Sequence, residues 1–147
     1  MSDALPRRIR NRPTWHINRA YGHAHRLLRE GFAAAGVRGY DYRLLAALEE
    51  FGPASQAELG RRTVIDRSDV VAALNDLEAD RLVERAPDPS DRRRNVITIT
   101  AEGRNRLLAL DRVVDEVQEQ LLAPLSPRER EQLVRLLSRL VEFDARS

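Results

Sequence analysis

Three consecutive arginines, Arg92, Arg93 and Arg94, form the longest run of positive charge in the sequence and follow Asp91 directly. Residues 87–94 around them are rich in proline, aspartate and serine, which is typical of a turn. Adjacent like charges repel one another unless a polyanion lies nearby, and the flat guanidinium fork suits phosphates and guanine edges. The pattern favours a nucleic-acid contact at this turn over a merely solvated basic loop, and it leaves open which arginine enters a groove.

A second group of polar residues lies upstream, on two short segments with helical spacing. The outward face of the second segment carries the residues that could contact base edges: Arg67, Ser68 and Asn75. Ala72 lies on the same face and offers no polar group. The ends of the first segment carry candidates for contacts with a phosphate backbone: Gln56, Arg61 and Arg62. The alternative interpretation of both segments is an ordinary solvated helix face.

An aromatic and imidazole cluster near the N-terminus is the candidate small-molecule site. It consists of Trp15, His16, Arg19 and His23, of which the last three lie three or four residues apart on one side of a helix. Such a set could bind a small aromatic or phenolic anion, or it could pack a subunit interface. We predict no metal site, because His23 and His25 are two residues apart and no carboxylate stands beside them at ligand spacing.

The remaining composition argues against several classes of protein. The sequence has no cysteine, which excludes disulfides and thiolate chemistry. It has no nucleophile elbow, phosphate loop or metal-binding helix motif, so we predict neither an enzyme nor a cofactor. No apolar stretch approaches the roughly 20 residues of a membrane span, and we therefore expect a cytoplasmic protein.

The charge is unevenly distributed along the chain. The formal net charge is +2, and all 25 basic residues are arginine. Residues 1–40 hold eight arginines against two acids, and the N-terminal arm is the most one-sided segment, with Arg7, Arg8, Arg10 and Arg12. The sequence does not decide whether this arm touches DNA or a partner subunit.

Apolar spacing predicts the elements that hold these groups in place. Long helices are expected from Pro13 to near Gly36 and in the segments after Thr100 and Ser126, with shorter helices from near Asp41, from Ser55 to about Arg62, and after Asp66. Ser55 to Glu58 and Ser126 to Glu129 have the pattern of capping boxes, and Asp66 that of an N-cap. Residues 82–85 and 95–100 alternate as strands of a hairpin whose tip is the basic turn.

These elements predict a mainly α protein with a small β-hairpin (α+β), a winged helix-turn-helix with N- and C-terminal dimerisation helices. We assign residues 1–40 to the arm and first dimerisation helix, 41–100 to the DNA-binding lobe and 101–147 to the C-terminal dimerisation helices, as one integrated domain. The terminal helices carry more apolar surface than one lobe can cover, which favours an isologous homodimer.

This order of elements resembles the multiple-antibiotic-resistance regulator (MarR) family over nearly the whole chain. The family pattern is an Asp-x-Arg wing tip, a strand ending in Leu-Thr, and a glycine in the next helix. The matching residues are Asp91-Arg92-Arg93, Ile99-Thr100 and Gly103, with Leu77-Glu78 and Leu82-Val83-Glu84-Arg85 also similar. The resemblance implies that Asp91 orients Arg93 for the minor groove. Ala72 departs from the family, where this position is often polar or arginine.

The resemblance implies a sequence-specific transcriptional regulator, most often a repressor, that binds double-stranded DNA as a homodimer on a pseudo-palindromic operator. In the family the effector pocket lies between the dimerisation helices and the lobe, which would suit the cluster at Trp15. The alternative is a winged-helix module that binds a ligand or a protein but not DNA. The 12 acids against nine arginines in residues 41–100 support that alternative.

Overall fold

The computed structural model describes residues 4–146 of the 147-residue chain. The described part contains seven helices and one two-stranded antiparallel sheet. The elements are α1 (Arg7–Arg10), α2 (Pro13–Ala34), α3 (Gly39–Phe51), α4 (Gln56–Thr63), α5 (Arg67–Ala79), β1 (Val83–Pro87), β2 (Asn95–Ile99), α6 (Ala101–Leu121) and α7 (Pro127–Ala145).

The core lies where α3, α4 and α5 pack against the hairpin. Its fully buried members are aliphatic and come from these elements and from α6: Leu44, Leu45, Leu48, Leu59, Val70, Leu74, Leu77, Val83, Ile97 and Leu110. The buried residues of α5 fall three or four apart, so one face of this helix is inside and the opposite face is in solvent. This burial orients α5 and thereby determines which of its polar residues are presented outward.

The hairpin has the predicted alternation. Val83 pairs with Ile99 and Arg85 with Ile97, and both isoleucines are buried while Thr98 is exposed. The first strand begins at Val83, one residue later than predicted, and continues to Pro87. Ala54 adds a single bridge on the other side of β2, exchanging backbone hydrogen bonds of 2.8 and 3.1 Å with Ile97. The hairpin is thus attached directly to the segment that precedes α4.

Several helix starts were predicted correctly. The Thr100 hydroxyl accepts from Gly103 N, and Ser126 and Glu129 form both halves of a capping box. Pro13 stands in the first turn of α2, and this helix ends before Gly36, whose φ of 74° is left-handed.

Other helix starts matched the predictions only in part. The second helix begins at Gly39, two residues before the predicted start near Asp41, and a short helix, α1, lies in the arm. At α4 only the serine half of the expected capping box forms, in which Ser55 Oγ accepts from Glu58 N. Asp66 occupies the N-cap position of α5 but its side chain makes no cap hydrogen bond. The Glu58 carboxylate is directed instead to Arg94 at the base of the hairpin.

The long helices cross beside the lobe. Gly31 of α2 faces Val113 and Val117 of α6, and a Cβ at this glycine would lie 3.1 and 3.3 Å from their methyl groups. At α7 the Arg130 guanidinium reaches Glu119 of α6 at 2.7 Å. The apolar face of α7 stays in solvent in the single chain, with Leu140 56% exposed and Val141 69% exposed.

Candidate nucleic-acid interface

A groove runs between α4, the start of α5 and the end of the basic turn of the hairpin. Its volume is about 690 Å³. Five residues predicted from the sequence line it together: Gln56, Arg61, Arg67, Arg93 and Arg94. Val64–Asp66 join α4 to α5, so the two helices form a helix-turn-helix with the hairpin beside it. Positive charge from three separate elements therefore converges on one surface.

The outer face of α5 is exposed, as the sequence predicts. Ser68, Ala72 and Asn75 all lie in solvent, with Arg67 at the first position of the helix. A recognition helix contacts base edges through such a face because its N-terminal half enters the major groove. Ala72 leaves the centre of this face without a hydrogen-bonding group, so polar contacts are confined to the two ends.

Asp91 and Arg93 form a pair at the tip of the hairpin. Asp91 Oδ1 accepts from Arg93 N at 3.1 Å and from Arg93 Nε at 3.2 Å. These hydrogen bonds, the side-chain one first, hold the pKa of Asp91 below its usual value. The Arg93 side chain is nevertheless 91% exposed. The carboxylate thus fixes the direction of the guanidinium while leaving most of its surface open to a partner.

The two neighbouring arginines are placed differently. Arg94 Nη2 lies 3.8 Å from Glu58 Oε1, which turns this side chain back toward α4. Arg92 is exposed and makes no hydrogen bond or ion pair within residues 4–146. The three arginines therefore have three environments: one paired across to α4, one tethered by its own turn and one in solvent.

Arg62 is the one candidate of α4 that does not line the groove, and the other candidates outside it are Ser68, Asn75, Asp91 and Arg92. Its guanidinium carbon lies 4.9 Å from the ring centre of Phe51, at the end of α3. This cation–π contact orients the side chain toward α3.

Arg85 is a residue that sequence reasoning missed. Its Nη2 donates to Asn75 Oδ1 at 2.9 Å, and its Nε lies 3.2 Å from Glu78 Oε2. The pattern of β1 shows only that Arg85 points to the opposite face from Glu84. No sequence signal could link it to Asn75, because the contact depends on how α5 packs against the hairpin.

The structure brings together only part of the N-terminal cluster. The Arg19 guanidinium lies 5.9 Å from the Trp15 ring centre, and Arg19 and His23 line one shallow depression on α2. His16 is directed away, with Nε2 2.6 Å from Arg10 O in α1. His25 stacks on Tyr21 at 5.6 Å. In the single chain the surface around Trp15, Arg19 and His23 is open and does not form an enclosed pocket.

A tyrosine connects the lobe to the crossing helices. Tyr42 of α3 donates its hydroxyl hydrogen to Asp111 Oδ1 of α6 at 2.8 Å. Burial, followed by this hydrogen bond and the charge of Asp111, raises the pKa of Tyr42 to about 12. The hydroxyl is protonated at neutral pH, as in any tyrosine, and the raised pKa keeps it a donor between the two parts of the molecule in more alkaline solution as well.

The described residues contain neither a membrane-spanning helix nor a cluster of metal ligands. No helix between residues 4 and 146 is long and apolar enough to cross a membrane. The same stretch contains no group of three histidine, aspartate or glutamate side chains arranged to hold a metal ion.

A helix-turn-helix flanked by a basic hairpin defines a winged-helix protein of the nucleic-acid-binding class. A family model described as MarR family matches residues 35–94. An uncharacterised HTH-type transcriptional regulator of Bacillus subtilis, YxaD, is 39% identical over 99 residues, which cover 67% of this chain and 69% of that protein. The chain belongs to the MarR family of transcriptional regulators. Membership of this family places it among regulators rather than enzymes.

Two further relatives extend the comparison. The HTH-type transcriptional repressor NicR of Pseudomonas putida is 33% identical over 100 residues, or 68% of this chain, and the match spans 63% of that repressor's length. The fold is similar to that of Bordetella bronchiseptica BpsR, whose DNA binding is regulated by 6-hydroxynicotinic acid. The TM-score is 0.81 at 23% identity, covering 93% of this chain and 98% of that one. This likeness confirms the predicted winged-helix fold class.

Proposed function

We propose that the protein is a sequence-specific DNA-binding repressor that acts as a homodimer on a pseudo-palindromic operator and is released by a small aromatic or phenolic anion. The observation that carries the proposal is the groove in which side chains of α4, α5 and the basic hairpin meet. DNA offers both features that this surface fits, a major groove for a helix and a line of phosphates for arginines.

The dimer is supported by the apolar face of α7. Leu136, Leu140 and Val141 are 49%, 56% and 69% exposed in the single chain, which is costly in water unless another surface covers them. Residues 1–40 and 101–147 would supply the contacts of an isologous two-fold pair. Such a pair carries two recognition helices, and we expect operator half-sites centred about one helical turn, roughly 10 bp, apart.

The effector is supported by the chemistry of α2. Trp15 offers an aromatic face, and Arg19 and His23 offer donors for a carboxylate or phenolate. An aromatic acid also regulates the DNA binding of BpsR. Because α2 packs on α6, and Tyr42 joins α6 to the lobe, a ligand at α2 could favour one spacing of the two lobes. A ligand acts in this way only through its differential affinity for the two arrangements.

The first prediction is a specific complex with the DNA that flanks the protein's own coding region. A mobility-shift titration should give one dimer per site, and an unrelated competitor should not remove it. Since arginine contacts displace counterions, the binding constant should fall steeply as salt rises. Binding that is absent, or that the competitor abolishes, would reject the proposal and favour a winged-helix module that binds a ligand or protein only.

The second prediction concerns the effector. Trp15 is the only tryptophan, so its fluorescence should report binding of 6-hydroxynicotinate or another hydroxylated aromatic acid. Arg19→Met removes a charge-assisted donor and should weaken the ligand about tenfold or more. Arg29→Met is the matched control, because Arg29 is an exposed arginine of α2 outside the depression. The effector idea fails if no aromatic acid both changes Trp15 emission and shifts DNA affinity.

A further inference from the structure

Arg85 is held between two residues of the recognition helix. It lies on β1 with a side chain only 23% exposed, and its guanidinium faces Asn75 and Glu78, which are one turn apart on α5. The hydrogen bond goes to Asn75 Oδ1 at 2.9 Å. Arg85 Nε lies 3.2 Å from Glu78 Oε2, but this ion pair does not have hydrogen-bond geometry. Arg85 Nε therefore has no hydrogen-bond acceptor within the described chain.

The chemistry of this contact determines the orientation of the Asn75 amide. A guanidinium carries only donors, so the Asn75 atom that faces it must be the oxygen. The amide nitrogen of Asn75 then points away from Arg85. Asn75 is exposed on the same face of α5 as Ser68 and Ala72, so two N–H groups are presented on the surface that would meet DNA.

We propose that Arg85 is a positioning residue that makes Asn75 a hydrogen-bond donor in base recognition. A free asparagine can pair bidentately with adenine, accepting from N6 and donating to N7. Arg85 takes one lone pair of the Asn75 oxygen, and its positive guanidinium beside that oxygen disfavours a second donor such as adenine N6. Asn75 therefore acts mainly as a donor, and both purines offer it the N7 acceptor. The protein would therefore accept guanine as well as adenine at the contacted position. This inference rests on the proposed DNA-binding function.

The test is selection of bound sequences from a randomised duplex library by the full chain and its variants. Arg85→Met removes the donors and frees the Asn75 amide, so the preference for adenine over guanine at one position of each half-site should rise about tenfold. Arg85→Lys keeps a donor and should retain the wild-type preference. Arg85→Gln can present either an N–H group or its oxygen to Asn75, so it frees the amide only part of the time. It should shift the preference in the same direction as Arg85→Met by a smaller amount, and it serves if that variant does not fold.

A double-mutant cycle separates positioning from a structural role. In an Asn75→Ala background the Arg85→Met change should leave base preference unaltered, because the side chain through which Arg85 acts is gone. If Arg85→Met and Arg85→Gln instead weaken all sequences equally, Arg85 only supports the fold and the inference is overturned. If the wild-type chain selects no sequence at all, the proposed function fails, and this inference fails with it. A wild-type selection that all variants share overturns the inference alone.

Discussion

Replacing Gly103 with alanine should lower the free energy of unfolding by about 3 kcal/mol or more and the melting temperature by roughly 10 °C. A Cβ at this position would collide with the Leu82 carbonyl oxygen and come within 2.8 Å of Ile99 Cγ1. The carbonyl cannot retreat easily, because Thr100 N and the Thr100 hydroxyl each lie 3.1 Å from it. The start of α6 would have to move away from the hairpin, and the core between them would open.

Gly22→Ala is the matched control for this change. Gly22 also lies inside a helix, and a Cβ there meets nothing within 4 Å in the described chain. Alanine should therefore stabilise α2 by about 0.5–1 kcal/mol. Urea unfolding followed by circular dichroism would give both values at one protomer concentration, which matters because a dimer couples assembly to stability. Equal stability of Gly103→Ala and wild type would show that the α6 start is not fixed against the hairpin.

The sequence was sufficient where a residue type answers one local need. Thr100 and Ser126 cap helices because a short hydroxyl side chain can reach an unpaired backbone donor, and both positions were predicted. The buried alternation of β2 was predicted for the same kind of reason, since Ile97 and Ile99 are two residues apart. Gly103 entered only through the family resemblance, and its physical role became visible when α6 was seen against the Leu82 carbonyl.

The sequence was insufficient where two elements compete for one side chain. Glu58 has the spacing of a capping glutamate, yet it faces Arg94, because the hairpin returns to α4 through the Ala54 bridge. Val64 gave no sign that it ends α4 with a left-handed φ of 55°, a conformation that β-branched residues avoid. The contact between Arg85 and Asn75 likewise depends on packing between distant segments. The positions of the site residues on their elements were thus predictable, whereas partners from distant segments were not. The Asp91–Arg93 pair lies within one turn, and the family resemblance implied it.

Replacing Arg93 with alanine should reduce operator affinity roughly 100-fold or more, because the proposed two-fold dimer would lose one groove contact at each wing. Asp91 accepts a hydrogen bond from Arg93 Nε, while the Arg93 side chain remains 91% exposed. Part of the conformational entropy that Arg93 would lose on binding DNA is therefore already lost in the free protein. A narrow A/T minor groove concentrates negative potential and would attract this extended cation. The loss should be greatest for operators with A/T pairs where the wing contacts the DNA, measured by mobility shift across a set of flanking sequences.

Arg92→Ala provides the control for the wing, because it removes the same charge from the same turn. Among residues 4–146 no carboxylate pairs with Arg92, so its loss should weaken binding only a few-fold and lower the salt dependence without changing sequence preference. Replacing Arg92, Arg93 and Arg94 together should abolish specific binding and leave the sedimentation behaviour of the dimer intact. If Arg92→Ala and Arg93→Ala cost the same affinity at every sequence, the wing contributes charge alone, and the Asp91 pairing has no part in recognition.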